Sequence, residues 1–497
     1  MKLNDLIRNL PVKEIVGDTD RDISEIAYDS RTVKEGSLFV ALKGTQVDGH
    51  RFIADAIGSG ASAVAVEDNS IVNDDYFLSH HTTKILVLNT RRALALISAN
   101  FFDHPAERLK NVGITGTNGK TTTTYLVKSV LQAAGERVLL VGTIGYMLGD
   151  EPFEPATHTT PESFEINRIM ACALERKATS TVMEVSSHSL AMDRVFGIPF
   201  RIAMFSNLTQ DHLDFHHTME EYFQSKKIFF DTVPSSSFAL SNLDDPYGKR
   251  IVSNTQAHKM FYGFESGADF QIRNFSFGVD GIKLAIAYQG KEYPVVSRLI
   301  GKFNAYNLTV SFGAAVLLGL EPGFVASELS KFKSVRGRFE RVDTGRDFTV
   351  IIDYAHSPDS FQKTLLAVRE ILKTANKNGR LTMVFGCGGN RDRTKRPQMG
   401  KIAEELSDRV IVTTDNPRNE DPEKISDEIV AGMPQGSEKV LRILDRSKAI
   451  QEALRLARPN DIILLAGKGH ENYQDINGVK HHFDEREEVK KALGLAN

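Results

Sequence analysis

One glycine-rich turn reads Gly113-Ile114-Thr115-Gly116-Thr117-Asn118-Gly119-Lys120-Thr121-Thr122. The apolar residues that lead into it predict a strand. Residues 121–134 predict a helix, with Leu126, Val130 and Ala133 on one face. A strand, a glycine turn and a helix in this order are the structural context of a phosphate-binding loop. The turn therefore predicts an α/β fold built around a parallel sheet, with a nucleotide phosphate bound at the helix start.

The residue types of this loop suit ATP and magnesium. Backbone N–H groups of the turn can surround phosphate oxygens, with Lys120 on the terminal phosphates and the Thr121 hydroxyl on magnesium. The loop is a variant, because the common pattern has Gly where Ile114 stands. The alternative is an ordinary glycine turn that caps a helix. The Lys-Thr pair directly after the turn favours the phosphate site.

Length and composition limit the possible classes of protein. A chain of 497 residues predicts roughly three domains, since single cores stop growing near ~250 residues. A net charge of −3 without a basic face argues against nucleic acid as a partner. The absence of a long apolar run argues against a membrane span, and the start lacks a secretory signal. Two cysteines, Cys172 and Cys387, suit a reducing compartment and exclude a thiolate metal cluster. We expect a cytosolic protein.

The pattern along the chain divides it into three predicted domains. Residues 1–105 combine short strand-like runs with turns and predict a small α/β domain. Residues 106–338 contain the phosphate loop in a parallel-sheet domain, with hairpins over 268–300 before an Ala-rich helix near 305–318. Residues 339–497 alternate strands and helices regularly, which is typical of a doubly wound, Rossmann-like domain.

Polar residues follow two predicted strands of the central domain. Glu184 ends the strand at 181–185, where an open α/β sheet places its ligands and where a magnesium carboxylate would lie. The run 206–216 is dense in Asn, Asp and His, and includes His212. Such a strand-end Glu can also be structural, and the run can equally be a capped helix start. On its sequence context alone, Lys226 on the next helix would be a solvated surface residue.

Four predicted strands of the third domain also end in polar residues. The runs begin at Asp353, Gly386, Asp415 and Gly467. Arg391 and Arg418 in these runs offer planar groups that suit carboxylates, whereas Glu471 suits an ammonium group. Together they predict an amino-acid pocket. Each run could instead be an ordinary turn, or the charges could pair with one another across loops.

Several of these motifs resemble the Mur ligases of peptidoglycan synthesis, over nearly the whole chain. The motifs are Gly116-Thr117-Asn118-Gly119-Lys120-Thr121-Thr122, Glu184-Val185-Ser186-Ser187-His188, Asp211-His212-Leu213-Asp214, Phe303-Asn304-Ala305-Tyr306-Asn307, Gly337-Arg338-Phe339-Glu340 and Asp353-Tyr354-Ala355-His356. Asp29-Ser30-Arg31 and His158-Thr159-Thr160-Pro161 resemble the family member that adds the third peptide residue. Asp415-Asn416-Pro417-Arg418 resembles its diaminopimelate-adding form.

The resemblance implies roles that spacing alone does not give. It implies two magnesium ions and a catalytic set of Lys120, Glu184, His212 and Lys226, with Lys226 carrying a carbamate. The implied metal ligands are Thr121, Glu184, His212 and the Lys226 carbamate. The implied ATP contacts are Gly116, Thr117, Asn118, Gly119, Lys120, Thr121, Thr122, Asn304, Arg338 and Asp353. Ser30, Thr159, Thr160, Ser186 and Arg194 match contacts to the UDP-linked substrate. Arg391, Asp415, Asn416, Pro417, Arg418, Gly467 and Glu471 match the diaminopimelate pocket.

The implied activity is ATP-dependent amide synthesis. An enzyme of this kind adds meso-2,6-diaminopimelate to UDP-N-acetylmuramoyl-L-alanyl-D-glutamate through an acyl phosphate, with the first domain binding UDP, the second ATP and the third the amino acid. A lysine-adding ligase of the same family is the main alternative, and a folate polyglutamate ligase shares the ATP motifs. A non-catalytic nucleotide-binding protein is the alternative from another class. The expected partners are small-molecule substrates, with no membrane span and no nucleic acid, and we expect a monomer.

Overall fold

The computed structural model describes residues 1–44, 47–374 and 378–495, apart from the side chain of Asp214. The chain forms two compact units. The first contains Met1–Leu208 and His212–Met260, and the second contains Thr209–Asp211 and Phe261–Asn497. Both units are α/β, as predicted. The domain boundaries near residues 105 and 338 stay a prediction.

The first sheet of the first unit has five strands. These are β1 (Val12–Val16), β2 (Glu25–Ala27), β3 (Ser37–Val40), β4 (Ala63–Val66) and β5 (Thr83–Val87), in the order β1-β5-β4-β3-β2. Only β1 is antiparallel. The helices are α1 (Leu3–Leu6), α2 (Ile53–Gly58), α3 (Asp74–Ser79) and α4 (Thr90–Phe101). Leu38 and Phe39 point to separate apolar cores, so both faces of this sheet are covered.

The second sheet of the first unit contains the phosphate loop. Its strands are β6 (Lys110–Thr115), β7 (Val138–Val141), β8 (Tyr146–Leu148), β9 (Glu151–Glu154), β10 (Ser180–Glu184), β11 (Phe200–Phe205) and β12 (Phe238–Asn242). They lie in the order β12-β11-β6-β10-β7-β8-β9. The helices are α5 (Lys120–Ala133), α6 (Ser163–Glu175), α7 (Ser187–Ala191), α8 (Leu213–His216), α9 (Met219–Thr232) and α10 (Gly248–Ile251). Because β6 and β10 are parallel neighbours, Glu184 pairs with Ile114 at the start of the loop.

The second unit begins within a strand that pairs with the next one in parallel, and it continues with antiparallel strands. Its elements are β13 (His258–Gly263), β14 (Phe270–Gly278), β15 (Gly281–Tyr288), β16 (Lys291–Ser297), α11 (Phe303–Leu317) and α12 (Pro322–Lys331). The β14–β15 and β15–β16 pairs are antiparallel, which confirms the predicted hairpins. The Ala-rich segment forms α11, also as predicted.

The remaining sheet of the second unit is doubly wound. The strands are β17 (Glu340–Val342), β18 (Thr349–Asp353), β19 (Leu381–Phe385), β20 (Arg409–Val412), β21 (Val440–Arg442), β22 (Ile462–Ala466) and a separate hairpin of β23 (Tyr473–Ile476) and β24 (Val479–His482). The helices are α13 (Pro358–Thr374), α14 (Lys395–Leu406), α15 (Pro422–Val430), α16 (Arg446–Leu456) and α17 (Glu485–Leu493). Leu464 and Leu465 point to separate cores, which α13–α15 and α16–α17 cover respectively.

The order of this sheet, β17-β18-β22-β19-β20-β21, brings the predicted polar strand ends together. The strands β18, β22, β19 and β20 are parallel neighbours, so their carboxyl ends share one edge. Neither α15 nor the β23–β24 hairpin was predicted from the sequence. Through the part of the chain that the structure describes, every helix is too short or too polar to cross a membrane.

Candidate active site

Close backbone packing shapes the glycine loop at the end of β6. Gly116 has φ +144°, and a Cβ there would lie 2.0 Å from Ser206 Oγ. The Thr117 amide donates to the Asn207 carbonyl at 2.8 Å, and Ser206 Oγ donates to the Asn118 carbonyl at 2.7 Å. The segment after β11 therefore fixes the loop. Gly119, with φ +89°, turns the chain into α5.

Two lysines converge on one carbonyl of this loop. Lys120 Nζ donates to the Gly116 and Thr117 carbonyls, both at 3.0 Å. Lys226 Nζ donates to the Gly116 carbonyl at 2.9 Å and lies 4.6 Å from the ring centre of Tyr222. The loop therefore gathers the Nζ groups of two lysines beside the predicted phosphate site.

The surface prediction for Lys226 is wrong, because this residue is only 1% exposed. Tyr222 and Phe229, one turn before and after it on α9, are buried as well. That helical spacing of aromatic residues around a lysine is the sequence signal that places Lys226 on the inner face.

Glu184 is buried and collects hydrogen-bond donors at the end of β10. Its Oε2 accepts from the hydroxyls of Thr121 and Thr143, each at 3.1 Å, and its Oε1 accepts from the Thr143 amide at 2.9 Å. Thr121 and Glu184 are therefore in direct contact, as a shared magnesium site requires. Hydroxyl and carboxylate oxygens are suitable magnesium ligands, so these residues fit the ion.

His212 lies on the same side of α9 as the lysine. It precedes α8 with φ +53°, and its side chain makes no capping hydrogen bond to that helix. Its ring centre lies 4.9 Å from His188 and 6.3 Å from Tyr222, the aromatic residue that also contacts Lys226. Within the described ranges, no three His, Cys, Asp or Glu side chains form a ready-made metal cluster. Of the predicted magnesium ligands, only Glu184 and His212 are of these residue types. The site therefore needs Thr121 and the Lys226 carbamate to complete it.

Four of the five residues predicted to contact the UDP-linked substrate meet at the end of β10. Thr160 Oγ1 donates to the Glu184 carbonyl at 2.7 Å and accepts from the Ser186 amide at 3.1 Å. Arg194 Nη1 donates to the Thr160 carbonyl at 3.0 Å, and the Thr159 hydroxyl lies 3.1 Å from that of Thr143.

The fifth residue, Ser30, starts a short 3₁₀ helix, Ser30–Thr32, which the Asp29 side chain caps. No hydrogen bond among the described residues joins Ser30 to the other four. The β10 end therefore unites the candidate metal site with most of the predicted substrate contacts.

Asp353 and Arg338 lie at the end of β18 in the second unit. The half-buried Asp353 carboxylate accepts from the Phe339 amide at 2.8 Å, the Ala355 amide at 3.0 Å and the Thr364 hydroxyl at 3.1 Å. Burial raises the pKa of Asp353. The Arg338 guanidinium lies 5.1 Å from the ring centre of Tyr354. The loop after residue 337 and the end of β18 therefore form one rigid corner.

Asn304, the third predicted ATP contact in this unit, lies at the start of α11. Its Nδ2 donates to the Ile300 carbonyl at 2.8 Å, and its Oδ1 accepts from Asn307 Nδ2 at 2.8 Å. The described hydrogen bonds do not join it to the Asp353 corner.

The predicted amino-acid residues after β20 and β22 form a connected acidic cluster. Asn416 Nδ2 donates to Glu471 Oε2 at 2.8 Å. A Cβ on Gly467, which has φ +108°, would lie 3.2 Å from Asp415 Oδ2, so a glycine allows the close approach of the two strand ends. Burial raises the pKa of the Glu471 carboxyl.

Lys468 is the residue of this cluster that sequence reasoning missed. Its side chain is fully buried, and Nζ lies 3.3 Å from Asp415 Oδ1, 3.0 Å from Asn416 Oδ1 and 3.4 Å from Glu471 Oε2. The charged residue inside the glycine run Gly467-Lys468-Gly469 was the available signal. The alternative that charges pair with one another across loops is thus met at Lys468.

Arg418 closes one side of the cluster. It has φ +50°, its Nη1 donates to the Gly389 carbonyl at 2.6 Å, and its Nε lies 3.9 Å from Asp475 Oδ2 on β23. Pro417 lies beside Gly389, where a Cβ would be 1.9 Å from its carbonyl oxygen. Arg391 follows the same loop and is exposed. The loop after β19 thus positions the Arg418 guanidinium through the Gly389 carbonyl and leaves Arg391 at the surface.

A buried ion pair supports the strand ends from the other face. Arg446 Nη2 lies 2.6 Å from Glu485 Oε1, and both side chains are essentially unexposed. Arg446 also donates to the carbonyls of Ala466, at 2.9 Å, and Thr414, at 3.4 Å. This pair therefore ties β22 and the end of β20 to α17.

Three family descriptions match the chain in succession. Residues 22–102 match the Mur ligase family catalytic domain, 114–315 the Mur ligase middle domain, and 337–469 the Mur ligase glutamate ligase domain. The matched segments cover most of the sequence and include the glycine loop and the strand ends that carry the acidic cluster.

Two relatives that match over the full length carry the same name. The chain is 42% identical, over 99% of each sequence, to the UDP-N-acetylmuramoyl-L-alanyl-D-glutamate–2,6-diaminopimelate ligases of Syntrophomonas wolfei and Cytophaga hutchinsonii. A solved structure of a ligase of that name matches with 30% identity and a TM-score of 0.72 over 99% of each chain.

The fold extends to a more distant enzyme. A folylpolyglutamate synthase of Mycobacterium tuberculosis matches at 18% identity and a TM-score of 0.60, over 76% of this chain and 92% of that one, which indicates a common fold. The three domain matches and the full-length relatives together show that the chain belongs to the Mur ligase family.

Proposed function

We propose that this protein is an ATP-dependent ligase that joins meso-2,6-diaminopimelate to UDP-N-acetylmuramoyl-L-alanyl-D-glutamate. The observation that carries the proposal is the acidic cluster of Asp415, Asn416 and Glu471 with Arg418 beside it. The carboxylates suit the ammonium group of an amino acid, and the guanidinium suits its distal carboxylate. The full-length relatives named as ligases for this amino acid support the same choice.

The reaction has two steps. First, the side-chain carboxylate of D-glutamate attacks the γ-phosphorus of ATP, which forms an acyl phosphate and releases ADP. Lys120 lies in the glycine loop, where its ammonium group can exchange its carbonyl partners for phosphate oxygens. Phosphoryl transfer depends mainly on such positioning and charge neutralisation.

In the second step the neutral amine of diaminopimelate attacks the acyl carbon. The amide bond forms, phosphate leaves, and the amine gives up its proton. We propose that Asp415 and Glu471 hold the amino acid through an ammonium group. Thr160, Ser186 and Arg194 would position the UDP-linked substrate beside the glycine loop of the same unit.

Magnesium, when bound, would neutralise charge on the phosphate oxygens. We propose Thr121, Glu184, His212 and a carbamate on Lys226 as its ligands. The contact of Thr121 with Glu184 and the burial of Lys226 beside the loop support this set. If Lys226 is carbamylated, protein incubated with ¹³C-bicarbonate will show a carbamate carbon signal. The Lys226→Ala variant will lack that signal.

The selectivity for diaminopimelate rests on Arg418. L-Lysine lacks the distal carboxylate, so bound lysine would leave this guanidinium desolvated without its ligand partner. Sites that depend on such a contact can discriminate by ~10⁴-fold. We further propose that the enzyme acts as a cytosolic monomer.

The test is phosphate release from ATP and magnesium with UDP-N-acetylmuramoyl-L-alanyl-D-glutamate and either meso-diaminopimelate or L-lysine. Release that requires diaminopimelate is the expected result. Release that requires L-lysine would keep the ligase activity and overturn the role of Arg418. The absence of release with both amines would overturn the proposed function and favour a non-catalytic nucleotide-binding role.

A further inference from the structure

The fully buried Lys468 lies at the centre of the acidic cluster. It follows β22 directly, and its ammonium group contacts three side chains from two chain segments: Asp415 and Asn416 after β20, and Glu471 in its own turn. It also lies 5.7 Å from the ring centre of Tyr473 on β23. A single cation thus joins every acidic and amide group that the proposed pocket presents to an amino acid.

The ionisation of the two carboxylates depends on this lysine. Asp415 and Glu471 contact the same ammonium group, and both are largely buried, with side-chain exposures of 10% and 18%. Two carboxylates so close together would share a proton if no cation lay near them. With Lys468 present, both can be ionised, so both can accept from the ammonium group of a ligand. The two carboxylates and the lysine together carry one net negative charge, which matches one ligand ammonium group.

The geometry also fixes the direction in which the acidic groups point. Asn416 Oδ1 accepts from Lys468 Nζ and from the Asp475 amide at 3.0 Å, so Asn416 Nδ2 must face Glu471, to which it donates at 2.8 Å. The amide is thereby held in one orientation. The Glu471 carboxylate consequently has one oxygen engaged by the protein, and its other oxygen remains to accept from a ligand.

We propose that Lys468 is a positioning and specificity-determining residue for the amino-acid substrate. It aligns Asp415, Asn416 and Glu471 and keeps both carboxylates ionised, without contacting the reacting atoms. This inference rests on the proposed ligase function. It predicts an effect confined to the amino acid, because none of the described contacts of Lys468 involves the glycine loop.

The test compares Lys468→Gln with the matched control Lys480→Met. Glutamine keeps a hydrogen-bond donor but removes the charge. Lys480 lies 4.3 Å from the same Tyr473 ring and is exposed, so its removal changes the charge near that ring without entering the cluster. We expect Lys468→Gln to raise the KM for diaminopimelate about 10- to 100-fold. The KM values for ATP and the UDP-linked substrate should change less than about threefold, and Lys480→Met should behave as wild type.

Lys468→Arg is the second variant to be tested. A guanidinium keeps the charge but is bulkier and fits a fully buried site less well, so we expect the KM for diaminopimelate to lie between those of the wild type and Lys468→Gln. If Lys468→Gln does not fold, as judged by thermal unfolding, Lys468→Arg decides. A selective increase in the KM for diaminopimelate then supports the proposal, and equal increases for all three substrates overturn it.

Two results would overturn the inference and leave the proposed function intact. One is a folded Lys468→Gln protein with an unchanged KM for diaminopimelate. The other is a parallel loss for all three substrates with a lowered Tm, which would make Lys468 a stability residue alone. If the wild-type protein releases no phosphate with any amine, the proposed function itself fails, and this outcome is distinct from both.

Discussion

The glycine loop and the acidic cluster each hold the ammonium group of a lysine, but the contacts of the two groups differ in kind. Lys120 donates to two backbone carbonyls of the loop, whereas Lys468 contacts two carboxylates. Carbonyl contacts of a cation can be exchanged for contacts with a phosphate, which carries more negative charge. Carboxylate contacts already balance the cation. The loop therefore attracts an anion, and the acidic cluster, with one excess negative charge, attracts a cation.

Lys120→Ala is the strongest test of whether the glycine loop binds an anion. Loss of a positioned cation at the transferring phosphate should lower kcat for phosphate release about 10³-fold. Lys128 on the same helix α5 pairs with Asp150 at 2.8 Å and is the matched control. If Lys120→Ala and Lys128→Ala lose equal activity, the loss reflects the helix and not the phosphate site.

Arg418→Ala tests the cationic group beside the acidic cluster, which is expected to bind the distal carboxylate of diaminopimelate. Removing the guanidinium should lower kcat/KM for diaminopimelate about 10²-fold and raise kcat/KM for L-lysine, which would no longer leave a desolvated guanidinium without a partner. Steady-state kinetics with both amines measures the ratio. Arg442, which pairs with Glu423 and Asp427 at the surface, provides the control substitution. Unchanged kinetics for Arg418→Ala would remove this residue from the pocket.

Gly116→Ala tests whether ATP binding depends on the backbone conformation of the glycine loop. The new Cβ would lie 2.0 Å from Ser206 Oγ and 3.0 Å from the Asn207 carbonyl, at a backbone φ of +144°. Strain of this size should distort the loop and raise the KM for ATP about tenfold. Gly145→Ala is the control, since a Cβ there meets no atom within 4 Å. An unchanged KM for ATP in Gly116→Ala would mean that the loop backbone does not bind phosphate.

The smallest expected effect is the pH dependence of the acidic cluster. Burial raises the pKa of Glu471, so its carboxyl is neutral at pH values where an ordinary glutamate is ionised. Because a neutral carboxyl attracts an ammonium group only weakly, the KM for diaminopimelate should fall as pH rises through the raised pKa. In Glu471→Gln this acidic limb should flatten. The same limb in both proteins would assign it to another group.

Much of this architecture was predictable because its signals are local in sequence. The strand, glycine turn and Lys-Thr pair occur within about one dozen neighbouring residues, and the polar strand ends follow apolar runs directly. Arg446 and Glu485 gave no such signal, since 39 positions separate them and their pairing depends on how α16 packs against α17. Lys226 was misjudged for a related reason. A long side chain on a helix is buried or exposed according to what packs over it.

Lys468 illustrates a different limit of sequence reasoning. Its neighbours Gly467 and Gly469 both have positive φ values, +108° and +53°, so the run forms a turn, which the sequence offered only as the alternative to a pocket. A turn normally lies at the surface. Here the turn enters the space between two strand ends, and only the order of the strands, β22 beside β19 and near β20, places its lysine against Asp415.

The Arg446–Glu485 pair has a consequence for protein synthesis. A ribosome makes β20, α16 and β22 before it makes α17, so the guanidinium that supports the carbonyls of Thr414 and Ala466 is present before its carboxylate partner. Until Glu485 emerges, burial of that guanidinium carries an uncompensated charge and is strongly disfavoured. We therefore expect the strand ends that form the acidic cluster to remain incompletely packed on the nascent chain. The amino-acid pocket would then be the last part of this sheet to fold.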